Sequence, residues 1–205
     1  MVRQYAFVVN SDACSGCKTC QVACKDKHDI PVGIQWRRVY EVTSGSWQKK
    51  EEAWISTVAA YNLSIACNHC LEPVCLPPCT SHAVWQRDDG IVLIDETRCN
   101  QCRKCEHACP YDAIRFDAVT NTLTKCQFCF DYLDLGLPPA CVTACPNRAL
   151  DFGDYWELQG KYGEGSHVFP LPAPSIAKPA LIVIPHRHAT AVQNQDPAVS
   201  NWEEL

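Results

Sequence analysis

Apolar residues occur in short runs along this chain, and residues that favour turns separate the runs. Helical turns are predicted over Gln21–Lys27 and Glu106–Cys109. Two pairs of runs predict β-hairpins, with strands His82–Gln86 and Ile91–Asp95 around Asp88-Asp89-Gly90, and strands Ala113–Phe116 and Thr122–Lys125 around Val119-Thr120-Asn121. The pattern therefore predicts a small α+β protein built from short elements.

Two longer segments carry no cysteine. Residues 28–66 are predicted to form strands that pack on the rest of the chain or face a partner, with a solvated turn at 49–52; they contain Trp36, Arg37, Arg38, Tyr40, Trp47 and Trp54. Residues 160–205 hold 6 of the 14 prolines. Such a tail cannot build its own core and needs a surface, so we expect it to dock along a partner subunit, with disorder as the alternative.

Composition and charge narrow the class of protein. With 47% hydrophobic and 20% charged residues among 205, the chain is typical of an ordered globular protein. A net charge of −5 argues against nucleic acid as a partner. The longest apolar candidate for a membrane span is only Ala180–Ile184, so no direct span is expected. No apolar signal segment precedes the first cysteine, which predicts assembly in the reducing cytoplasm.

Cysteine is the exception, with 16 residues in four groups of four. The groups are Cys14, Cys17, Cys20 and Cys24; Cys67, Cys70, Cys75 and Cys79; Cys99, Cys102, Cys105 and Cys109; and Cys126, Cys129, Cys141 and Cys145. The first and third groups have the spacing C-x2-C-x2-C-x3-C, and proline follows the last cysteine of the third and fourth groups. This is an internal repeat of a ligand motif.

The spacing favours iron–sulfur clusters. Three cysteines two residues apart can hold three corners of a [4Fe–4S] cubane, while the fourth points to a neighbouring cluster, as in bacterial ferredoxins. Zinc sites prefer two separated cysteine pairs, and disulfide frameworks suit small secreted domains. A metallothionein is excluded by the 6 Trp, 7 Tyr and 6 Phe. Four tandem motifs therefore predict four [4Fe–4S] clusters, with a zinc-stabilised interaction module as an alternative.

The residues between the cysteines carry a more specific resemblance. The stretches that carry it are CSGCKTCQVACKD (14–26), WRRVYE (36–41), LSIACNHC (63–70), CRKCEHACPYDAIRF (102–116) and RALDFG (148–153). In these the chain resembles the iron–sulfur electron-transfer subunits of anaerobic dimethyl sulfoxide reductase, within the four-cluster ferredoxin-like subunits of molybdopterin oxidoreductases. It is also similar to subunits of polysulfide, tetrathionate and formate enzymes.

The resemblance implies two nested ferredoxin-like modules. Residues 1–27 and 119–158 would form the outer module, 63–118 the inner one, 28–62 an insertion, and 159–205 an extended partner-binding tail. On the residues alone, neighbouring cysteine groups could pair instead. The implied ligands are the Cys14 set (Cys14, Cys17, Cys20, Cys145), the Cys24 set (Cys24, Cys126, Cys129, Cys141), the Cys67 set (Cys67, Cys70, Cys75, Cys109) and the Cys79 set (Cys79, Cys99, Cys102, Cys105).

Basic residues close to these ligands are candidates for tuning the reduction potentials, with ordinary solvated charge as the alternative. They are Lys18, Lys25, Arg98, Arg103, Lys104, Lys125 and Arg148. His69 and His107 lie inside the motifs and are expected to pack or hydrogen-bond there. Neither a nucleophile–base pair nor a dinucleotide fingerprint is evident, so catalysis is expected on another subunit.

By resemblance, the chain would relay electrons between an integral-membrane, quinol-oxidising anchor subunit and a large molybdenum bis-pterin catalytic subunit. The Cys14 set would face the catalytic subunit, and the set containing Cys126 would lie at the other end, towards the anchor. The complex would be peripheral on the cell membrane, on the cytoplasmic side or exported with a twin-arginine-signalled partner. A free-standing polyferredoxin carrier is the alternative.

Overall fold

The computed structural model describes residues 3–193 and 195–204. Its strands are β1 (Tyr5–Asn10), β2 (Arg38–Ser44), β3 (Trp47–Lys50), β4 (Ala53–Ser56), β5 (Ala59–Ile65), β6 (Val84–Gln86), β7 (Val92–Ile94), β8 (Ile114–Asp117), β9 (Thr122–Lys125), β10 (Leu150–Asp154), β11 (Leu181–Ile184) and β12 (Ala198–Val199). Its helices are α1 (Thr19–His28), α2 (Lys104–Ala108), α3 (Phe130–Leu133), α4 (Ala140–Ala144), α5 (Tyr155–Tyr162) and α6 (Ala189–Gln193). Two 3-10 turns cover Pro174–Ile176 and Trp202–Glu204.

Two three-stranded sheets and three hairpins make up the β structure. In the first sheet β1 lies in the middle, antiparallel to β10 and parallel to β11, so that Phe7 is opposite both Phe152 and Leu181. In the second sheet β2 lies between β5 and β12. The hairpins are β3–β4, β6–β7 and β8–β9. This is the small α+β architecture expected from the sequence.

Both predicted cysteine-flanking hairpins are confirmed. Strands β6 and β7 pair antiparallel, with Val84 opposite Ile94, and β8 pairs with β9 in the same manner. Their turns contain Gly90 and Asn121, whose φ angles are 84° and 56°. Glycine and asparagine tolerate this left-handed region better than other residues, so short-range turn chemistry was sufficient to predict both hairpins.

The two predicted helices begin earlier than expected. Helix α1 starts at Thr19 and α2 at Lys104, each directly after a left-handed residue, Lys18 at φ 60° or Arg103 at φ 59°. Each of these residues lies between the second and third cysteine of its group. The chain reverses there, so the third cysteine already lies on the helix.

Residues 28–66 divide into a packed part and an exposed part. Strands β2 and β5 are largely buried, whereas every residue of β3 and β4 is exposed. The indole Nε1 of Trp36 donates a hydrogen bond of 3.1 Å to Thr124, which ties this segment to the second hairpin. Glu51 and Glu52 form an exposed turn, as predicted. The boundary expected at residue 62 falls inside β5, which continues to Ile65.

The segment expected to be an extended tail folds back onto its own chain. Strand β11 extends the first sheet and β12 extends the second. Ala177, Ile182 and Val192 are fully buried. The tail does require a surface, but the structure differs from the expectation because that surface consists of this chain's own sheets. Docking of the tail on a partner remains a prediction for its outer face.

The core combines aromatic and aliphatic residues with cysteines. The rings of Phe7 and Phe128 stack with centroids 4.0 Å apart, and Leu63 in the same core is fully buried. Six cysteines are buried members of this core, namely Cys20, Cys24, Cys67, Cys126, Cys141 and Cys145. The thiols are therefore placed where ordinary domains have larger apolar side chains.

Gln4 connects the first sheet to the turn between β6 and β7. Its side-chain amide Nε2 donates to the carbonyls of Tyr5 and His69, both at 3.0 Å, and to that of Gly90 at 3.4 Å. A Cβ atom on Gly90 would lie 2.2–2.4 Å from the atoms of that amide. Because Gln4 is buried and held by these hydrogen bonds, it cannot move aside at low cost.

We therefore expect Gly90→Ala to lower the melting temperature of the metal-loaded protein by several degrees. The left-handed φ alone costs about 1–2 kcal/mol, and the contact with Gln4 adds about 1–3 kcal/mol. In a chain of this size each kcal/mol lowers the melting temperature by about 2–4 °C. Gly136→Ala is the matched control, because its φ is 74° but its Cβ would meet nothing within 4 Å. Equal losses in the two variants would contradict the packing of Gln4 against Gly90.

Candidate metal centres

Helices α1 and α4 bring the first and fourth cysteine groups together. Cys20 and Cys24 lie on α1, Cys141 lies on α4, and Cys145 directly follows α4. The two helices pack against each other. All 16 cysteines are free thiols in this structure. Residues from opposite ends of the chain are thus neighbours at one site.

One cavity beside these helices has the cysteines of the Cys14 set in its wall. Its lining contains Cys14, Cys17, Cys20 and Cys145, together with apolar residues such as Val39. Cys145 comes from the fourth group and the other three from the first. This is the combination that the crossed ligand pattern requires.

A second cavity lies against the β6–β7 and β8–β9 hairpins and contains the Cys67 set. Its lining includes Cys67, Cys70, Cys75 and Cys109, the last of which comes from the third group. Lys125 also lines it. In both cavities, therefore, a fourth thiol from a distant group joins three thiols from one group.

The remaining thiols are related through their electrostatic neighbours. Burial first, and then the proximity of Cys141, raises the pKa of Cys24 to about 12, while Cys129 also contributes. Burial raises the pKa of Cys126 well above its usual value, and Cys24 is the strongest charged influence on it. These four thiols are the Cys24 set.

The Cys79 set is grouped in the same way except for one member. Burial raises the pKa of Cys105 to about 11, with further contributions from Cys79 and Cys99. All three belong to one small buried apolar cluster and its margin. Cys102 is exposed on the loop before α2.

Two thiols are poised to ionise more readily than the others. Hydrogen bonds from Thr19 lower the pKa of Cys17, which is exposed. At Cys79, burial opposes ionisation, but the backbone N–H of Val84 and the hydroxyl of Ser81 outweigh it and lower the pKa. Because iron binds the thiolate form, these two cysteines require the least additional stabilisation to act as ligands.

The four sets follow one another in a definite order. Cys20 lies close to Cys141, Cys126 close to Cys67, and Cys75 close to Cys105. This runs from the Cys14 set through the Cys24 and Cys67 sets to the Cys79 set. The expectation that the set containing Cys126 lies at the far end is therefore wrong. The reason is that the Cys14 and Cys24 sets share helix α1 and must be neighbours.

Exposure varies along this order. Cys17 in the first set and Cys102 in the last are the two exposed cysteines, whereas all four members of the Cys24 set are buried. The sequence did not predict which sets would lie inside, because the spacing of all four motifs is so similar.

Most of the basic residues proposed from sequence lie at or near the surface. Arg98, Arg103, Lys104 and Arg148 are exposed, and Lys18 and Lys25 are half-buried. Lys18 forms salt bridges with Glu41, at 3.0 Å, and with Glu204. Lys125 is the buried one, and its ammonium group donates to the carbonyls of Val92 and Cys126.

The structure adds three polar residues that sequence reasoning did not single out as site residues. Arg37 and Arg38 are both almost fully buried, at 2% and 1% exposure. The ring Nε2 of His28 lies 3.3 Å from Cys129 Sγ. The signal for the arginines was present, because two consecutive arginines precede an apolar strand and one of them must point inwards.

His69 packs in the core, as expected. Its Nδ1 accepts a hydrogen bond of 3.0 Å from Val92 N, and its ring meets Phe128 edge-on. Burial, followed by the nearby charges of Lys125 and Arg37, holds the pKa of His69 well below its usual value. The ring is therefore neutral at pH 7, consistent with a packing role.

The donor set fits iron–sulfur clusters better than a single ion. Across residues 3–193 and 195–204, no three His, Cys, Asp or Glu side chains converge as they would around one metal ion. Two cavities lined by four thiols each suit a larger group, whose corners keep the sulfur ligands apart. The buried Nε and Nη2 of Arg37 also lack a hydrogen-bond partner in the described part of the chain, so an acceptor at this site is chemically required.

Membrane spanning was tested on the same residues. None of the helices that the structure describes is both long enough and apolar enough to cross a bilayer.

Comparison with known proteins agrees with the cysteine chemistry. A family model described as a 4Fe-4S dicluster domain matches residues 58–155, a range that contains the second, third and fourth cysteine groups. The chain is 41% identical to the iron–sulfur subunit of anaerobic dimethyl sulfoxide reductase of Escherichia coli K12 over 205 residues, which is the whole of both proteins.

Two further relatives are named for other substrates. The corresponding subunit of tetrathionate reductase of Salmonella typhimurium LT2 is 38% identical over 74% of this chain and 58% of its own length. That of polysulfide reductase of Wolinella succinogenes is 31% identical over 91% of this chain and 97% of its own length. The full-length match together with the cysteine-lined cavities leads to one conclusion: this protein belongs to the family of [4Fe–4S]-binding iron–sulfur subunits that includes the one in anaerobic dimethyl sulfoxide reductase.

Proposed function

We propose that this chain is the non-catalytic electron-transfer subunit of a membrane-bound reductase and holds four [4Fe–4S] clusters in series. The observation that carries the proposal is the continuous order of the four cysteine sets from exposed Cys17 to exposed Cys102. The cysteine-lined cavities support two of the four sites directly.

A [4Fe–4S] cluster, when bound, accepts and returns one electron without making or breaking a substrate bond. The protein would hold each cluster by three thiolates from one loop and a fourth from another loop. Apolar residues such as Val39 and Ile114 would exclude water from the cavities. The chain's contribution is therefore the position, insulation and electrostatic environment of the carriers.

The two exposed ends suggest two partners. By family resemblance the Cys14 set would face a large molybdenum bis-pterin catalytic subunit. The order of the sets then favours the Cys79 set, with Cys102 at the surface, as the site that faces a quinol-oxidising membrane anchor. The 41% identical relative over the full length favours a dimethyl sulfoxide reductase-type terminal reductase. The complex would be peripheral on the membrane, on the cytoplasmic side or exported with a twin-arginine-signalled partner.

The exposed β3–β4 hairpin favours a subunit over a diffusing polyferredoxin. Trp47 and Trp54 are 63% and 64% exposed, and Ile55 beside them is 46% exposed. Tryptophan is enriched at protein interfaces and is rarely left in water on a freely soluble protein. A permanent partner would cover these side chains.

Anaerobic purification from native membranes, with mass spectrometry of the proteins that remain bound, tests this proposal. We expect a large molybdopterin-containing subunit and a hydrophobic anchor in constant ratio to this chain. The sequence of the large subunit would then separate a sulfoxide reductase from a polysulfide, tetrathionate or formate enzyme. Recovery of the iron-loaded chain without stoichiometric partners would indicate the free carrier instead.

Double cysteine substitutions test the crossed ligand sets. The wild-type chain is expected to hold about 16 iron atoms, four per cluster. In the proposed sets Cys70 and Cys109 serve the same cluster, so Cys70→Ala with Cys109→Ala should leave about 12 iron atoms. Cys70→Ala with Cys79→Ala should leave about 8, because two clusters are lost. If neighbouring groups paired instead, the two iron contents would be exchanged, which makes each variant the control for the other.

Removal of the metal should destabilise the chain in a pH-dependent manner. We expect the iron-free chain to melt at a lower temperature than the loaded one, because six core thiols lose the bonds that hold them. Burial keeps the pKa of Cys24 and Cys75 near 12 in the folded apo chain. Their stabilising contribution is therefore present below pH 9, the ordinary thiol pKa, and is lost as the pH rises from 9 towards 12.

Calorimetry of the apo and loaded chains at several pH values measures both effects. The apo melting temperature should fall between pH 8 and pH 10 more steeply than that of the loaded chain, whose thiolates stay bound to iron. Coincident melting curves for the two forms would rule out a structural role for the metal.

A further inference from the structure

The guanidinium of Arg37 lies inside the outer module, among its thiols. The side chain is 2% exposed, and its carbon Cζ is 4.5 Å from the centroid of the Phe7 ring. The thiols that act on its charge are Cys141, Cys20, Cys126 and Cys24. One of these belongs to the Cys14 set and three belong to the Cys24 set. Arg37 therefore lies between two neighbouring ligand sets.

Arg37 has no carboxylate to neutralise it. In the part of the chain that the structure describes, no Asp or Glu forms a salt bridge with this residue. The adjacent Arg38 differs, because it reaches Asp112 Oδ2 at 3.1 Å and two backbone carbonyls at 2.8 Å. A buried charge without a partner is strongly unfavourable, so the anion that balances Arg37 must be provided by the thiolates.

The donor groups of Arg37 point to the same acceptors. Nη1 donates to the Ser64 hydroxyl at 3.2 Å, and Ser64 Oγ in turn is 3.3 Å from Cys20 Sγ. Nε and Nη2 are buried and have no hydrogen-bond partner among the described residues. Guanidinium donors that are removed from water require acceptors, and sulfur ligands on two sides of the group would supply them.

We propose that Arg37 is a positioning residue whose charge is shared by the two outer-module clusters, raising the reduction potential of both. The inference rests on the proposed function, because it requires clusters in the Cys14 and Cys24 sets. Each reduction adds a negative charge near the guanidinium, and a buried cation stabilises that charge more than an exposed one does. Of the cations close to the outer module, Arg148 is exposed and Lys18 already pairs with two carboxylates.

The test is a potentiometric titration, followed by electron paramagnetic resonance, of the intact complex that contains Arg37→Gln. The signals of the outer sets are identified beforehand from Cys17→Ala and Cys129→Ala, each of which removes one of them. Both outer potentials should fall, by about tenfold in the equilibrium constant for reduction or about 59 mV for a one-electron couple. The signals of the Cys67 and Cys79 sets should keep their potentials.

Arg38→Gln is the matched control, since the two arginines are adjacent and equally buried but Arg38 is paired with Asp112. It should leave the outer potentials unchanged. Arg37→Lys keeps the charge and should keep both the iron content and the outer potentials. Ser64→Ala removes the hydroxyl between Arg37 and Cys20, and should cause a smaller fall that is confined to the Cys14 set.

The outcomes separate the two proposals. A wild-type complex with far fewer than about 16 iron atoms per chain would contradict the proposed four clusters. Full iron content in Arg37→Gln with unchanged outer potentials would overturn the role of Arg37 alone. If Arg37→Gln loads poorly, Arg37→Lys and Ser64→Ala decide. Restored iron and potentials in the lysine variant support the inference, whereas failure of the lysine variant or an unmoved potential in Ser64→Ala overturns it.

Discussion

The burial of thiols in the core is the constraint on which the rest of the structure depends. Six cysteines take core positions together with Phe7 and Phe128, and each is too small to fill the space that a leucine or phenylalanine would occupy. Free thiols contribute little packing of their own, so the elements around them stay short and the loops must be held by something other than apolar contacts. Metal bonds meet that need, and they also explain why Cys145 and Cys109 line cavities whose other thiols come from distant groups.

The segments outside the cysteine motifs complete this arrangement. The C-terminal residues add β11 to the sheet that carries β1 and add β12 to the sheet that carries β2. They thereby cover strand edges that the short modules cannot cover themselves. Arg187 forms a bidentate contact with Asp12, at 2.9 Å for both nitrogens, close to the loop that begins at Cys14. The tail is thus part of the folded unit, and only its outer face is available to a partner.

The sequence was sufficient where structure is local, and insufficient where it depends on distant pairing. The β6–β7 and β8–β9 hairpins were predictable because Gly90 and Asn121 favour their turns. The parallel pairing of β1 with β11 was not, because nothing in either short apolar run specifies its partner. The thiols themselves were evident from spacing, but the order of the four sets was predicted wrongly. Resemblance to a family indicates which residues are ligands, whereas adjacency follows from the packing of α1 against α4.

The same distinction applies to the charges that act on the ligands. Proximity in sequence selected seven basic residues, and Lys125 is the one among them that is buried. Arg37 was passed over although it is buried against four thiols, because it is separated from every motif in the sequence. Alternation along the extended chain sends Arg37 and Arg38 to opposite sides, one towards the thiols and one towards Asp112. Exposed cations are screened by water, so a residue distant in sequence but buried has more influence on the ligands than a neighbour at the surface. The exposed thiols at the two ends and the buried cations between them therefore act together: electrons would enter and leave at the sets that contain Cys17 and Cys102, and the energy along the path would be set in the interior.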